Sequence, residues 1–175
     1  MVWRTVFRSA LHRPAAEPVG AADADMTTML AERLAAAAQA RLGRSLAIRM
    51  VAAGGCNGCE VELRLLASAV YDLERFGLRI VASPRHADVL LVAGPVTRTM
   101  HEAVLRTWQA TPDPKWVVAV GDCGCGCGVF EGSYAVIGAV DKVIPVDLHI
   151  RGCPPRPIDL LRGLMALIDK ASAKA

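Results

Sequence analysis

Six cysteines, Cys56, Cys59, Cys123, Cys125, Cys127 and Cys153, are the residues of this 175-residue chain whose type and spacing could do chemistry. Each sits beside glycine or proline rather than inside an apolar run. Cys56 and Cys59 form a C-x-x-C pair, Cys123, Cys125 and Cys127 alternate with glycine, and Cys153 precedes Pro154-Pro155. A cubane [4Fe–4S] cluster takes four thiolates, often two from one tight loop and the others from distant ones. Cys56, Cys59, Cys123 and Cys153 make such a set. A structural zinc site accepts the same four sulfurs, although it usually pairs two knuckles and Cys153 has no near partner. A redox dithiol at Cys56 and Cys59 is the third reading, and it leaves Cys123 and Cys153 without a role. Cys125 and Cys127 read as inert buried thiols.

The elements that must position these thiols alternate in type from Ser45 onward. Short apolar runs predict strands at Leu46–Ala52, Leu78–Ala82, Val89–Ala93, Trp116–Val120 and Lys142–Pro145. Helical spacing fits Glu60–Phe76, Thr99–Gln109 and Pro157–Ala171, with a short irregular piece after Val129. The expected fold is α/β and flavodoxin-like, a mainly parallel sheet flanked by helices, with an N-terminal helical extension. The link Ser83–Asp88 is too short for a helical crossover, so the second strand is expected either antiparallel or at an edge. Three cysteine-bearing segments then follow the first, fourth and fifth strands and emerge together at the carboxyl edge, where such sheets bind ligands.

Residues 1–43 read as an extension in three parts. Val2 to Leu11 makes an amphipathic stripe, Pro14 to Asp25 a linker, and Thr27 to Arg41 an Ala-rich helix that Gly43 ends. Residues 44–175 are expected to form the cluster-binding domain. Arg4, Arg8 and Arg13 interrupt any export-signal core, which predicts a cytoplasmic, reducing environment and argues against a disulfide framework. A hydrophobic fraction of 53% excludes whole-chain disorder, and a net charge of +3 is too weak to argue for nucleic acid. No apolar run approaches the ~18 residues of a membrane span.

Further motifs carry a resemblance. Gly54-Gly55-Cys56-Asn57-Gly58-Cys59-Glu60-Val61-Glu62, Glu74-Arg75-Phe76-Gly77 and Ser83-Pro84-Arg85-His86-Ala87-Asp88 lie in the first half. Gly94-Pro95-Val96-Thr97-Arg98, Val143-Ile144-Pro145-Val146-Asp147 and Gly152-Cys153-Pro154-Pro155 follow. Over roughly residues 50 to 170 this combination resembles the small subunit of energy-converting, membrane-associated [NiFe] hydrogenases of the formate hydrogenlyase type. It is also similar to the 20 kDa subunit of respiratory complex I, which shares their ancestry. The complex I subunit usually has adjacent cysteines at the first ligand site. Here Asn57 and Gly58 separate them, as in the hydrogenases.

The resemblance implies one proximal [4Fe–4S] cluster and an oxidoreductase subunit that does not act alone. Its partners would be a hydrogenase large subunit-like protein, a ferredoxin-like cluster subunit and integral membrane subunits. The expected location is peripheral, on the cytoplasmic face of the inner membrane. The alternative is a complex I-like subunit whose cluster serves a quinone site. By strand-end register the family ligand in the second loop falls on Cys123, although three alternating cysteines depart from the family pattern. Glu60 is implied as a proton relay or a contact to the large subunit; as a first-turn acid it also suits the helix dipole. Thr97 and Arg98 are expected to face the same partner. Arg85, His86, Arg151 and Arg156 are candidates to favour cluster reduction, since a unit charge at ~6 Å is worth about 3 kcal/mol at a dielectric near 20. Each also reads as an ordinary solvated charge.

Overall fold

The computed structural model describes residues 21–69 and 71–172. The expected helix at Val2–Leu11 lies outside them, as does the linker up to residue 20. The chain order is α1 (Ala21–Leu42), β1 (Leu46–Ala52), α2 (Gly58–Leu66), β2 (Leu78–Ile80), β3 (Val89–Ala93), β4 (Val96–Thr97) and α3 (His101–Ala110), then β5 (Trp116–Val120), α4 (Gly121–Gly126), β6 (Val136–Gly138), β7 (Leu148–Ile150) and α5 (Pro157–Ser172).

Five strands form one all-parallel sheet in the order β2-β1-β3-β5-β7. Counting only these strands, the order is 2-1-3-4-5, the flavodoxin-like arrangement, whose ligands bind where the winding reverses between β1 and β3. Both faces are covered, so β3 is buried throughout and β5 nearly so, as parallel sheets require. On one face α1, α2 and α5 pack through Ala31, Leu34, Leu63, Leu160 and Leu164 against Leu46, Ile48 and Val118. On the other, Val104 of α3 joins Val51, Val92, Val117 and Ile144.

β2 lies at the edge and runs parallel to β1. A short link suffices because β2 has only three residues, so its end and the start of β3 stand at one height. Ile48 of β1 pairs with Ile80 on one side and Val89 on the other. The chain passes across β1 through a 3-10 turn, Pro84–His86, without returning the length of the sheet.

Four expectations need correction. The helix proposed for Glu60–Phe76 ends at Leu66, where Ser68 Oγ donates to Leu65 O at 2.6 Å; Asp72 then takes a left-handed conformation before a separate 3-10 turn, Leu73–Phe76. The strand proposed at Lys142–Pro145 is instead a 3-10 turn, Val140–Lys142, and the fifth strand is Leu148–Ile150. Ile144 is apolar because it fills the core, and β7 was hidden by its exposed His149. Asp147 starts the true strand by accepting from Val117 N at 2.8 Å and donating its own N–H to Val117 O at 2.9 Å. The linker expected up to Asp25 is helical from Ala21. Finally, Gly121–Gly126 is a short helix rather than an open loop.

Candidate metal centre

The first pair of candidate cysteines, Cys56 and Cys59, sits at the reversal point. After β1 the chain turns through Gly54 and Gly55, and Asn57 adopts φ 72 before α2 begins. This leaves Cys56 exposed in the turn and carries Cys59, half-buried, into the first turn of α2. The turn after β3 presses on it backbone to backbone. A Cβ on Gly94, whose φ is +82, would stand 2.6 Å from Gly55 N, so no side chain fits there. Thr97 closes the other side, with its Oγ1 donating to Ala53 O at 3.2 Å.

The second segment reaches the same point. Gly121, with φ +84, turns β5 directly into α4, and a Cβ there would stand 2.5 Å from Cys59 Sγ. The thiol therefore occupies space that only a glycine leaves open. Cys123 follows two residues later and is buried. The third segment is stitched to the second by a pair of bonds: Asp122 N donates to Gly152 O at 2.9 Å, and Gly152 N donates to Asp122 Oδ1 at 3.1 Å. Cys153 follows, exposed. A Cβ on Gly58 would lie 3.6 Å from Cys56 Sγ and 4.0 Å from Pro154 Cβ, which brings the first turn against the third.

Electrostatics binds the four thiols into one group. Burial pushes the Cys59 thiol up to about 12, and negative charge on Glu60, Cys123, Cys56 and Cys153 adds to the shift. Burial also raises Cys123, followed by charge on Cys153, while the Val129 N–H opposes it; Cys56 adds a smaller upward push. Such thiols stay protonated unless a positive centre replaces the protons, which is the linkage expected of metal ligands. Among the described residues, no three His, Cys, Asp or Glu side chains are grouped tightly enough to hold a single metal ion.

Cys125 and Cys127 belong elsewhere. Cys125 Sγ lies 3.6 Å from Ala119 O and 3.7 Å from Ile150 O, between β5 and β7, and burial raises its pKa to about 11 against the pull of Arg151. Cys127 ends α4 in a left-handed conformation. Both line a cavity of about 520 Å³ with Arg98, Phe130, Tyr134 and Lys142, to which the other four thiols do not contribute.

The remaining singled-out residues divide. Glu60 is next to Cys59 and lines a cavity of about 200 Å³ with Arg49 and Arg64, where Arg49 Nε is buried without a partner among the described residues. Arg151 acts on Cys125, and Arg156 is tied to Asp159 at 3.0 Å. Arg85 and His86 are not at the thiols at all. They line a cavity with Arg44 and Pro112, which precede β1 and β5, at the amino edge of the sheet. Thr97 turns inward onto the first cysteine turn, and Arg98 Nε donates to Tyr134 O at 2.7 Å. Asp122 was missed by sequence reasoning; its only signal was its place between a strand-end glycine and a cysteine.

The family model described as NADH ubiquinone oxidoreductase, 20 kDa subunit, matches residues 56–167. Formate hydrogenlyase subunit 7 of Escherichia coli (strain K12) is 49% identical over 128 residues, 73% of this chain and 50% of that protein, so the chain spans half the length of this relative. The probable membrane-bound hydrogenase subunit mbhJ of Pyrococcus furiosus is 46% identical over 74% of this chain and 77% of its own length. An NADH-quinone oxidoreductase subunit of Geobacter sp. (strain M21) is 47% identical over 64% of this chain and 65% of its own. Among solved structures, a chain of the membrane-bound sulfane sulfur reductase, an archaeal respiratory membrane complex, superposes with a TM-score of 0.66 at 36% identity, covering 81% of this chain and 76% of that one. A chain of the NAD+-reducing [NiFe]-hydrogenase shares the fold at a TM-score of 0.55 and 18% identity, covering 73% and 93%. These relatives are subunits of oxidoreductase complexes, and the family's part in them is electron transfer. With 112 residues of its α/β domain inside the family model, this chain is a member of the NADH ubiquinone oxidoreductase 20 kDa subunit family.

Proposed function

We propose that the chain holds one [4Fe–4S] cluster on Cys56, Cys59, Cys123 and Cys153, and that it relays single electrons between a hydrogenase large subunit-like partner and ferredoxin-like cluster subunits. The observation that carries this reading is the meeting of three strand-end segments at the reversal point of the sheet, with thiols as their shared donors and with charge on neighbouring thiols adding to the burial that raises Cys59 and Cys123. Four cysteine sulfurs suit iron–sulfur chemistry. When bound, the cluster accepts and returns one electron at a time. The protein's own part is to hold the four sulfurs, to lower solvent access through the burial of Cys59 and Cys123, and to lock the second and third segments through Asp122 and Gly152.

No described helix is long and apolar enough to cross a membrane. Attachment to the cytoplasmic face of the inner membrane would therefore run through integral membrane subunits of the complex. The C-x-x-C spacing at Cys56 and Cys59 favours a hydrogenase-type partner, whereas the 47% identity to a subunit of an NADH-quinone oxidoreductase supports a second reading, a cluster that serves a quinone site. Two C-x-x-C nickel motifs in the partner's sequence would decide for the first.

The test is iron and acid-labile sulfide content with an EPR spectrum after dithionite reduction. Four of each per chain and a reduced-cluster signal are expected, lost in Cys153→Ser and kept in Cys127→Ser. One zinc per chain with no reduced signal would sink the proposal, and the reverse response of the two variants would sink the ligand assignment.

A further inference from the structure

The Ser83–Asp88 motif is not used by the cluster, yet it builds a second concave site. Arg44, Arg79, Arg85 and His86 line a cavity of about 460 Å³ together with Val81, Ala87 and Pro112. Among the described residues, no carboxylate lines it. Asp88, which follows the lining residue Ala87, is 4% exposed and already committed. Its oxygens accept from Arg44 Nη2 at 2.6 Å and Nη1 at 3.2 Å, and Oδ2 also accepts from Ala47 N at 2.9 Å. This clamp fixes the Arg44 guanidinium at the rim while leaving its side chain 56% exposed. Arg79, Arg85 and His86 have no ion pair among the described residues.

Like charges converging on a concavity repel one another, and a surface free to choose would disperse or neutralise them. Arginine adds geometry to charge, because its planar fork donates to two phosphate oxygens at a time. The cavity is too large for one small anion alone and is lined in part by the apolar Val81, Ala87 and Pro112, which suits a phosphate group carried on an organic body. We propose that this pocket binds a phosphate ester, with Arg79 and Arg85 clamping the phosphate, the fixed Arg44 bounding it and the imidazole of His86 donating from the side. The site stands at the amino edge of the sheet and the thiols at the carboxyl edge, so its occupancy is separable from cluster content.

The experiment uses the full-length chain with its cluster, titrated with pyrophosphate by calorimetry at low salt. Binding of one pyrophosphate per chain is expected, weakened about tenfold or more in each of Arg79→Ala and Arg85→Ala and far less in Arg79→Lys, with iron content unchanged. Arg106→Ala, at an exposed ion pair on α3, should leave binding as it is. Competition by phosphatidylglycerol vesicles, with none by phosphatidylcholine vesicles, would identify a lipid headgroup as the source. Binding without such competition would identify a soluble phosphate ester. Absence of pyrophosphate binding, binding that survives both alanine variants, or preference for hexaglutamate over pyrophosphate would overturn the proposal.

Discussion

Replacing Gly121 by alanine separates two costs that the structure keeps distinct, strain in the backbone and overlap with the Cys59 thiol. The residue has φ +84, and an alanine forced into left-handed backbone loses about 1–2 kcal/mol. For a chain of this size that lowers Tm by about 2–8 °C. The new Cβ would also stand 2.5 Å from Cys59 Sγ, where ordinary contact begins at 3.4 Å, so sulfur and α4 must separate by about 1 Å. Metal–thiolate bonds tolerate only ~0.2 Å, and iron and acid-labile sulfide should therefore fall to about a tenth of the parent or less. Gly43→Ala supplies the control, with φ +63 and nothing within 4 Å of its Cβ. It should lose a similar Tm and keep its iron. If Gly121→Ala retains full iron and sulfide while losing the same Tm as Gly43→Ala, then Cys59 and the second segment do not share one space, and the three segments do not converge.

Asp88→Ala removes the acceptor of the buried Ala47 N–H, which should cost about 1–3 kcal/mol in urea unfolding, while the exposed Arg44 is solvated instead; Asp88→Asn should cost less, and a loss below ~0.5 kcal/mol for the alanine variant would show that the clamp contributes little. In the iron-free chain, alkylation of Cys59 should rise about tenfold per pH unit from pH 8 to 10, since burial, then Glu60 and the other thiols, holds its pKa near 12. A rate that levels off below pH 9 in peptide mapping would contradict that environment. The same shift bears on stability. Cys59 stays protonated in the folded chain after the unfolded chain has lost the proton, so its stabilising contribution is complete below 9.0 and disappears as the pH rises towards about 12.

Much of the fold was legible because a buried parallel strand is written as an unbroken apolar run, and Val89–Ala93 and Trp116–Val120 were placed to the residue. The misplaced strand has a plain cause: apolar sequence reports burial and not conformation. Val143-Ile144 is apolar because Ile144 packs in the core, whereas β7 has one exposed residue out of three and reads as too polar. Helix ends were misjudged where a single polar side chain decides the matter, as Ser68 does when it bonds back to Leu65. Arg85 and His86, candidates to favour cluster reduction, follow β2. That strand is so short that its end lies at mid-height on β1, and the link carries them to the opposite edge.

Choosing among Cys123, Cys125 and Cys127 shows where sequence spacing stops being informative. Alternation with glycine suggests an extended segment, in which all three thiols would share one face. In α4 each residue instead turns by about 100°, so Cys125 stands some 200° from Cys123 and points between β5 and β7 rather than at Cys59. Cys127 lies one turn beyond Cys123 and would return to its face if the helix continued. It does not continue: Cys127 takes φ 65, donates its N–H to Cys123 O at 2.9 Å and lines the neighbouring cavity with Arg98 and Phe130. What directs Cys123 towards the other three thiols is thus the sharp strand-to-helix turn at Gly121, a conformation that no count of cysteines reveals. The space that this glycine leaves open is the space that Cys59 fills.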